Sequence, residues 1–335
     1  MQLNDFDKIS LSQTEIHSLI DIGQPRLSRY LALINSDNNH SNEKRRRYNI
    51  ETTRRVIKEL YSHKLVPDKK VQVFFNFKGG TGKTSLCYQA AIMFALYGFK
   101  VLAIDCDPQA HLSFSLGFNE SYNDYKTLYD VIINKLPIKD TIINVMSGLD
   151  AIPSNLSLTR LEAPLNQMHN REKLLLKAIE TIKSEYDFIF IDTNPTISTL
   201  NGNAMIAADI LNIICETQPY SLKGLEILID VVKDFSQVME TTINYRIIPN
   251  KYEAKTVSSQ ESLGMLQTKY KQNLMGVLVR KCEDINVSAK SRLPLIAFCN
   301  KRSIALEDII DLTKELIFKS THKKEAKRKE LSNAA

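Results

Sequence analysis

From residue 71 onward, short apolar runs alternate with longer stretches whose apolar positions recur at helical spacing. The runs fall at 71–77, 100–106, 188–193, 210–215, 244–249, 275–280 and 293–298, and the helical patterns at 84–97, 171–185, 199–207, 222–240, 257–271 and 304–318. Strand and helix in alternation predict an α/β fold: a mainly parallel, twisted sheet with helices on both faces.

The first seventy residues are patterned differently. Ser12-Gln13-Thr14-Glu15 has the form of a capping box opening a short helix with Ile16, Leu19 and Ile20 on its apolar side. Gly23 then permits a tight turn, and Pro25 suits the first turn of a second helix running to Ile34. That helix sets Leu27, Leu31 and Leu33 inward and leaves Arg26, Ser28, Arg29 and Tyr30 outward. Helix, glycine turn and helix with a basic face is the plan of a helix-turn-helix. A polar stretch, 35–42, leads to Lys44-Arg45-Arg46-Arg47-Tyr48 and a helix from about Ile50 to Ser62; Arg45, Arg46 and Arg47 stand where a wing would meet phosphates. The division expected is an all-α, winged-helix-like DNA-binding module at 1–66, the α/β domain at 67–320, and a basic, disordered tail at 321–335.

Composition narrows the classes. With 335 residues and 43% hydrophobic content, the chain has material for one large domain and a small appendage. No window reaches the roughly 18 uninterrupted apolar residues of a membrane span, and the first ten residues carry acids where a signal peptide carries bases, so a cytoplasmic protein is expected. Five cysteines are scattered without metal-binding spacing and read as free thiols. The formal charge of +6 is uneven: 13 basic against 9 acidic residues in 1–70, 25 against 27 in 71–318, and 6 against 2 in 319–335. Within the balanced middle, residues 246–302 hold 11 bases against 4 acids, which points to a polyanionic partner.

The chemistry concentrates in Lys78-Gly79-Gly80-Thr81-Gly82-Lys83-Thr84, set between the apolar run 71–77 and the alanine-rich helix that begins at Ser85. Glycines there let successive N–H groups curl around a phosphate at a helix N-terminus. Lys83 would reach the β- and γ-phosphates and the Thr84 hydroxyl would ligate Mg²⁺. Lys78, at the mouth of the loop, is placed to cross to another subunit's nucleotide, as an arginine finger does. Two apolar strands end in acids, Asp105-Cys106-Asp107 and Phe190-Ile191-Asp192, and carboxyl ends of strands line the ligand crevice of open α/β sheets. Asp192 suits Mg²⁺ through water and Asp107 the attacking water, so Thr84, Asp107 and Asp192 form the candidate metal set.

These segments together, Lys78 to Thr84, Asp105-Cys106-Asp107-Pro108-Gln109 and Phe190-Ile191-Asp192, closely resemble the deviant-Walker ATPases of the ParA/MinD group. Asn201 to Asp209, Gln218 to Leu225, Pro249-Asn250-Lys251-Tyr252 and the 277–297 region resemble the ParA branch, and a preceding helix-turn-helix is similar to its larger plasmid forms. The resemblance covers about 71–318. It implies a DNA segregation ATPase that binds ATP and Mg²⁺, forms a nucleotide-sandwich homodimer on nucleoid DNA, and is stimulated by a ParB-type partner, with the N-terminal module on operator DNA. It also implies that Lys78, Gly79, Gly80, Thr81, Gly82, Lys83, Thr84, Ser85 and Asn250 bind the nucleotide, with Asn250 near the base. Lys281, Lys290, Arg292, Lys301 and Arg302 fall where the family's nonspecific DNA surface is expected.

The chain departs from the family at two points: Asn194 stands where a proline usually follows the Walker B segment, and Ala110 where glycine is common. The rival reading is a MinD-like membrane cycle, which needs an exposed apolar face on the last helix; Ile304, Ile309, Ile310, Leu316, Ile317 and Phe318 would supply it, although packing against the sheet is the expected use, so no membrane partner is anticipated. A metabolic P-loop enzyme would need a second substrate constellation, and none is visible.

Overall fold

The computed structural model describes residues 3–35, 46–119, 125–300 and 302–324. Its N-terminal elements are β1 (Ser10–Ser12), α1 (Gln13–Leu19), α2 (Gln24–Asn35), β2 (Arg47–Asn49), α3 (Ile50–Ile57) and β3 (Leu65–Pro67). The capping box forms: Ser12 Oγ accepts from Glu15 N at 3.3 Å while Glu15 Oε2 accepts from Ser12 N at 2.6 Å. The module is not all-α, because β1 and β2 pair antiparallel with buried Leu11 opposite buried Tyr48. Three residues reading polar, apolar, polar are too short a run for periodicity to reveal.

A seven-stranded sheet follows, made of β4 (Val71–Phe75), β5 (Val101–Asp105), β6 (Ile143–Met146), β7 (Leu149–Ile152), β8 (Phe188–Asp192), β9 (Ile210–Glu216) and β10 (Tyr245–Asn250). Their spatial order is β10-β9-β4-β8-β5-β7-β6, all parallel except β6, which pairs antiparallel with β7 through the turn at Ser147 and Gly148. Side chains alternate across the sheet. Val71, Val73 and Phe75 enter one apolar layer with α8 (Leu174–Glu180), α9 (Thr199–Ala207) and α10 (Pro219–Val238), joined by α6 (Leu128–Ile132), α7 (Glu162–Leu165) and α11 (Val257–Lys269). Phe74, Phe188 and Phe190 enter the other, where Phe94 of α4 (Lys83–Leu96) meets Phe188 and Phe190 edge-on at 4.8 and 4.9 Å.

The N-terminal elements share that second layer: Phe6, Leu11, Ile16, Leu19 and Leu27 belong to one apolar cluster with α4 and the last helix. Arg54 of α3 fastens the junction, donating to Ala95 O at 2.6 Å, Phe99 O at 3.0 Å and Ser147 Oγ at 2.9 Å. A Cβ on Gly148 would lie 2.1 Å from Arg54 Cζ and displace the guanidinium, and the backbone there, at φ 81°, itself favours glycine.

Two expected strands are absent. Residues 274–280 run beside β10 and the turn after it, joined by isolated bridges, Ile247 with Leu274 and Tyr252 with Arg280, and by single backbone hydrogen bonds rather than a ladder. Val279 N donates to Pro249 O on this edge, and Pro249 has no N–H to return, so the ladder cannot continue. Residues 293–298 instead form a helical turn, α13 (Leu295–Phe298), after Pro294 and the helix α12 (Glu283–Ser291); a short apolar run does not distinguish the two states. A further short helix, α5 (His111–Ser115), lies after β5.

The last helix, α14 (Ile304–Ser320), buries Ile309, Ile310, Leu316 and Ile317, while Phe318 is 81% exposed. No helix among the described residues is long and apolar enough to cross a membrane. The expected tail begins as structure: β11 (Thr321–Lys323) pairs antiparallel with β3, because the Leu65–Pro67 edge offers unpaired backbone groups there. The rest of the tail, 325–335, lies outside the described residues.

Candidate nucleotide site

The loop between β4 and α4 stands where the crevice rule places it, at the carboxyl end of β4, an inner strand of the sheet. Gly80 and Gly82 take φ of 74° and 96°, the left-handed region open to glycine, and Gly82 directly precedes the first turn of α4. Asn76 braces the loop entrance, donating to Ile214 O at 2.7 Å and accepting from Lys78 N at 2.8 Å. The loop borders a cleft of about 660 Å³ that Gly79, Gly80, Gly82, Lys83, Thr84 and Ser85 help to line. Thr81 is buried beneath it. Lys83 is 6% exposed and donates to Lys78 O at 3.2 Å; burial lowers its pKa, against the pull of Asp192 and Asp107.

The three acids divide their work. Asp105 and Asp192 are register partners on β5 and β8. Asp105 spends its oxygens internally, accepting from Ser113 N at 2.8 Å, Ser113 Oγ at 2.7 Å and Asp107 N at 3.0 Å, and burial still pushes its carboxyl up to about 6. It therefore braces the loop after β5. Asp107 reaches the cleft and accepts from Gln109 N at 2.8 Å. Asp192 is fully buried, and neither carboxylate oxygen completes a hydrogen bond; burial first, then Asp105, raise its pKa well above the carboxylate range, against the nearby Thr84 hydroxyl and Lys83. A buried carboxylate without partners is costly alone and apt for a hydrated cation. Among the described residues no cluster of three His, Cys, Asp or Glu could hold a metal unaided. Thr84 and Asp192 thus have the chemistry to fit Mg²⁺ that would take its other ligands from phosphate and water, and Asp107 borders the same cleft.

Three further positions border the site. Asn250 lines the same cleft; its Nδ2 donates to Thr81 O at 2.7 Å, and its Oδ1 is buried without a protein partner. Ala110 adopts φ 54°, so the residue in place of the common glycine keeps glycine's conformation. Asn194, in place of proline, accepts from Asn201 Nδ2 through O at 3.0 Å and Oδ1 at 2.8 Å, which ties the loop after β8 by side-chain bonds.

Lys78 is not among the residues lining the cleft. Its ammonium lies 2.5 Å from Glu216 Oε2 and 3.1 Å from Ser221 Oγ, and Lys251 Nζ meets Glu216 Oε1 at 2.8 Å. Burial works to raise the Glu216 carboxyl, but the two lysines outweigh it and hold its pKa below the usual value. Ser221 and Lys251 entered the sequence reading only inside family-like segments and without a role, and Glu216 escaped it because a lone acid ending an apolar strand carries no spacing signal.

The candidate DNA contacts separate. Arg26, Ser28 and Arg29 are exposed on α2, with Ser28 Oγ accepting from Gln13 Nε2 at 2.6 Å. Arg47 is engaged instead with Ser10 and Glu15, and so holds β1 to β2. Arg46 is half-buried, while Arg45 and Lys301 lie outside the described residues. Lys290 and Arg302 are exposed, Lys281 pairs with Glu253 at 3.0 Å, and Arg292 stacks over the Phe114 ring at 3.3 Å.

A model of the AAA domain matches residues 69–245. The cell division protein PomZ of Myxococcus xanthus is 35% identical over 213 residues, 63% of this chain and 66% of that protein, just under two thirds of its length. The sporulation initiation inhibitor protein Soj of Bacillus subtilis is 26% identical over 249 residues, 74% of this chain and 98% of that one. Among solved structures, a McdA variant of Cyanothece in complex with ATP shares the fold with a TM-score of 0.67 at 20% identity, over 75% of this chain and 96% of that chain.

Proposed function

This chain belongs to the AAA-domain family, in its ParA/MinD-type branch, and from that premise we propose that it is a DNA-partition ATPase working as a nucleotide-gated homodimer. The observation that carries the reading is the split between two lysines of one loop: Lys83 faces its own cleft while Lys78 does not line it. A cation outside its own site is of use to a neighbour's.

In this reading the loop amides of residues 79–84 and Lys83 bind the triphosphate, and Thr84 with Asp192 would hold Mg²⁺, which when bound would supply charge neutralisation to the phosphates. Asp107, held by Gln109 N at 2.8 Å, orients the attacking water. Lys78 from each subunit contacts the other's nucleotide, so triphosphate stabilises the pair by its differential affinity for it. Two basic surfaces around Lys290 and Arg302 then engage DNA together, which multiplies their avidity without new contacts. Hydrolysis, stimulated by a ParB-type partner, dissolves the pair. The exposed Arg26, Ser28 and Arg29 face of α2 takes operator DNA.

Sizing the protein with ADP and then with ATP and Mg²⁺ tests the proposal. The wild type should become dimeric only with ATP, and Lys78→Ala should remain largely monomeric while still binding nucleotide; identical profiles for both proteins in both nucleotides would remove the sandwich.

A further inference from the structure

Glu216 ends β9 with a side chain only 8% exposed, and two ammonium groups converge on it. Lys78 Nζ takes Oε2 at 2.5 Å and Lys251 Nζ takes Oε1 at 2.8 Å. Ser221, in the first turn of α10, joins both partners, donating to Glu216 Oε2 at 3.3 Å and accepting from Lys78 at 3.1 Å. Lys251 also donates to Gly80 O, inside the phosphate loop. Its backbone sits at φ 55°, a conformation that disfavours a side chain, and this turn delivers its ammonium to the carboxylate.

A buried carboxylate needs a counter-charge, and one lysine would suffice. The two present are not equivalent. Lys251 is tied to Glu216 and to the loop carbonyl, and it lines the cleft. Lys78 is tied to Glu216 and Ser221, does not line the cleft, and is 47% exposed against 39% for Lys251. If Lys78 departs, Lys251 and Ser221 still satisfy Glu216, so no buried anion is stranded. Departure of Lys251 would leave the carboxylate to Lys78 and Ser221 and would also give up the bond to the phosphate loop. Lys78 is therefore the cation that the cluster releases at lower cost.

We infer that Glu216 is a positioning residue that holds Lys78 within its own subunit and yields it to a second copy's triphosphate, with Lys251 staying behind as the resident counter-ion. Glu216 thereby sets the protein concentration at which ATP assembles two copies. This rests on the sandwich reading above and adds to it the competitor that each nucleotide must displace.

The test measures the dimer dissociation constant by sedimentation at saturating ATP and Mg²⁺, together with the affinity of the dilute monomer for a fluorescent ATP analogue. Glu216→Gln, nearly isosteric, should dimerise at about tenfold lower protein concentration, since it removes one ion pair from the dissociated state only. Lys251→Met should need about tenfold more protein, because Lys78 becomes the sole counter-ion. In the double variant that penalty should vanish, a non-additivity that a merely structural role would not produce. Ser221→Ala, a smaller change, should move the constant in the direction of Glu216→Gln by about twofold. Dimerisation of Glu216→Gln at unchanged or higher concentration, or a Lys251→Met penalty equal in both backgrounds, overturns the inference while leaving the sandwich intact. A wild type that binds nucleotide yet stays monomeric would instead remove the sandwich, and this inference with it.

Discussion

Replacing Asp192 with Asn should make the nucleotide-free protein more stable and its Mg²⁺-dependent nucleotide response weaker. Asp192 is fully buried, and both carboxylate oxygens lack hydrogen-bond partners. Leaving a buried polar group unsatisfied costs about 1–3 kcal/mol, and more when it is charged. The Asn amide would be unsatisfied too, but neutral, and part of the cost in the wild type is already offset by Lys83. The expected net gain is therefore about 1–2 kcal/mol, a rise of roughly 2–4 °C in Tm. The sign of the pH dependence follows from the raised pKa: the native state binds the proton more tightly than the unfolded chain, so wild-type stability falls as pH rises from the unfolded carboxyl value toward the folded one. The gap between variant and wild type should accordingly widen on going from pH 6 to pH 8. Adding ATP and Mg²⁺ at about 100 times Kd should stabilise the wild type by about 2.7 kcal/mol, and the variant by much less. Thermal melts in EDTA and in ATP with Mg²⁺, at both pH values, make the comparison. A variant less stable than wild type in EDTA at pH 8, or one that responds equally to ATP and Mg²⁺, would refute the assignment of Asp192 as the unsatisfied cation-facing group.

Other outcomes follow from single contacts. Ala110→Gly should stabilise the chain by about 0.5–1 kcal/mol in urea unfolding, because glycine adopts the φ of 54° without strain; a loss of stability would mean the left-handed turn is not populated. Arg54→Met should cost about 2–4 kcal/mol, since three hydrogen bonds from a half-buried guanidinium hold α3 to the end of α4 and to the turns at Phe99 and Ser147; a loss below about 0.5 kcal/mol in urea titration would show that the N-terminal elements dock without it. Lys290→Ala should lower the slope of log K against log salt for nonspecific DNA by about 0.9, the contribution of one phosphate contact, with an unchanged slope placing the DNA surface elsewhere.

The sheet strands that carry the site were legible in the linear pattern because burial on both faces makes them continuous apolar runs, and the runs at β4, β5, β8, β9 and β10 became strands within a residue or two of expectation. The weaker cases failed for local reasons. Pro249 withheld the N–H that a ladder at 275–280 required, and the apolar run after Pro294 had only enough residues for one helical turn. The hairpin of β6 and β7, and the three-residue strands of the N-terminal elements, were too brief to show a period.

By itself the amino-acid order determined the phosphate loop, its two lysines and the acids at the strand ends, because glycine spacing and strand-end position are properties of neighbouring residues. What each lysine touches was decided only in three dimensions: Lys83 lines the cleft, while Lys78 pairs with Glu216. Glu216, Ser221 and Lys251 come from β9, the start of α10 and the turn after β10, and only packing those elements beside the loop brings their polar atoms within hydrogen-bond distance of Lys78 or of each other. Electrostatic partnership depends on separation in space and on burial, and neither quantity is written in the spacing along a chain.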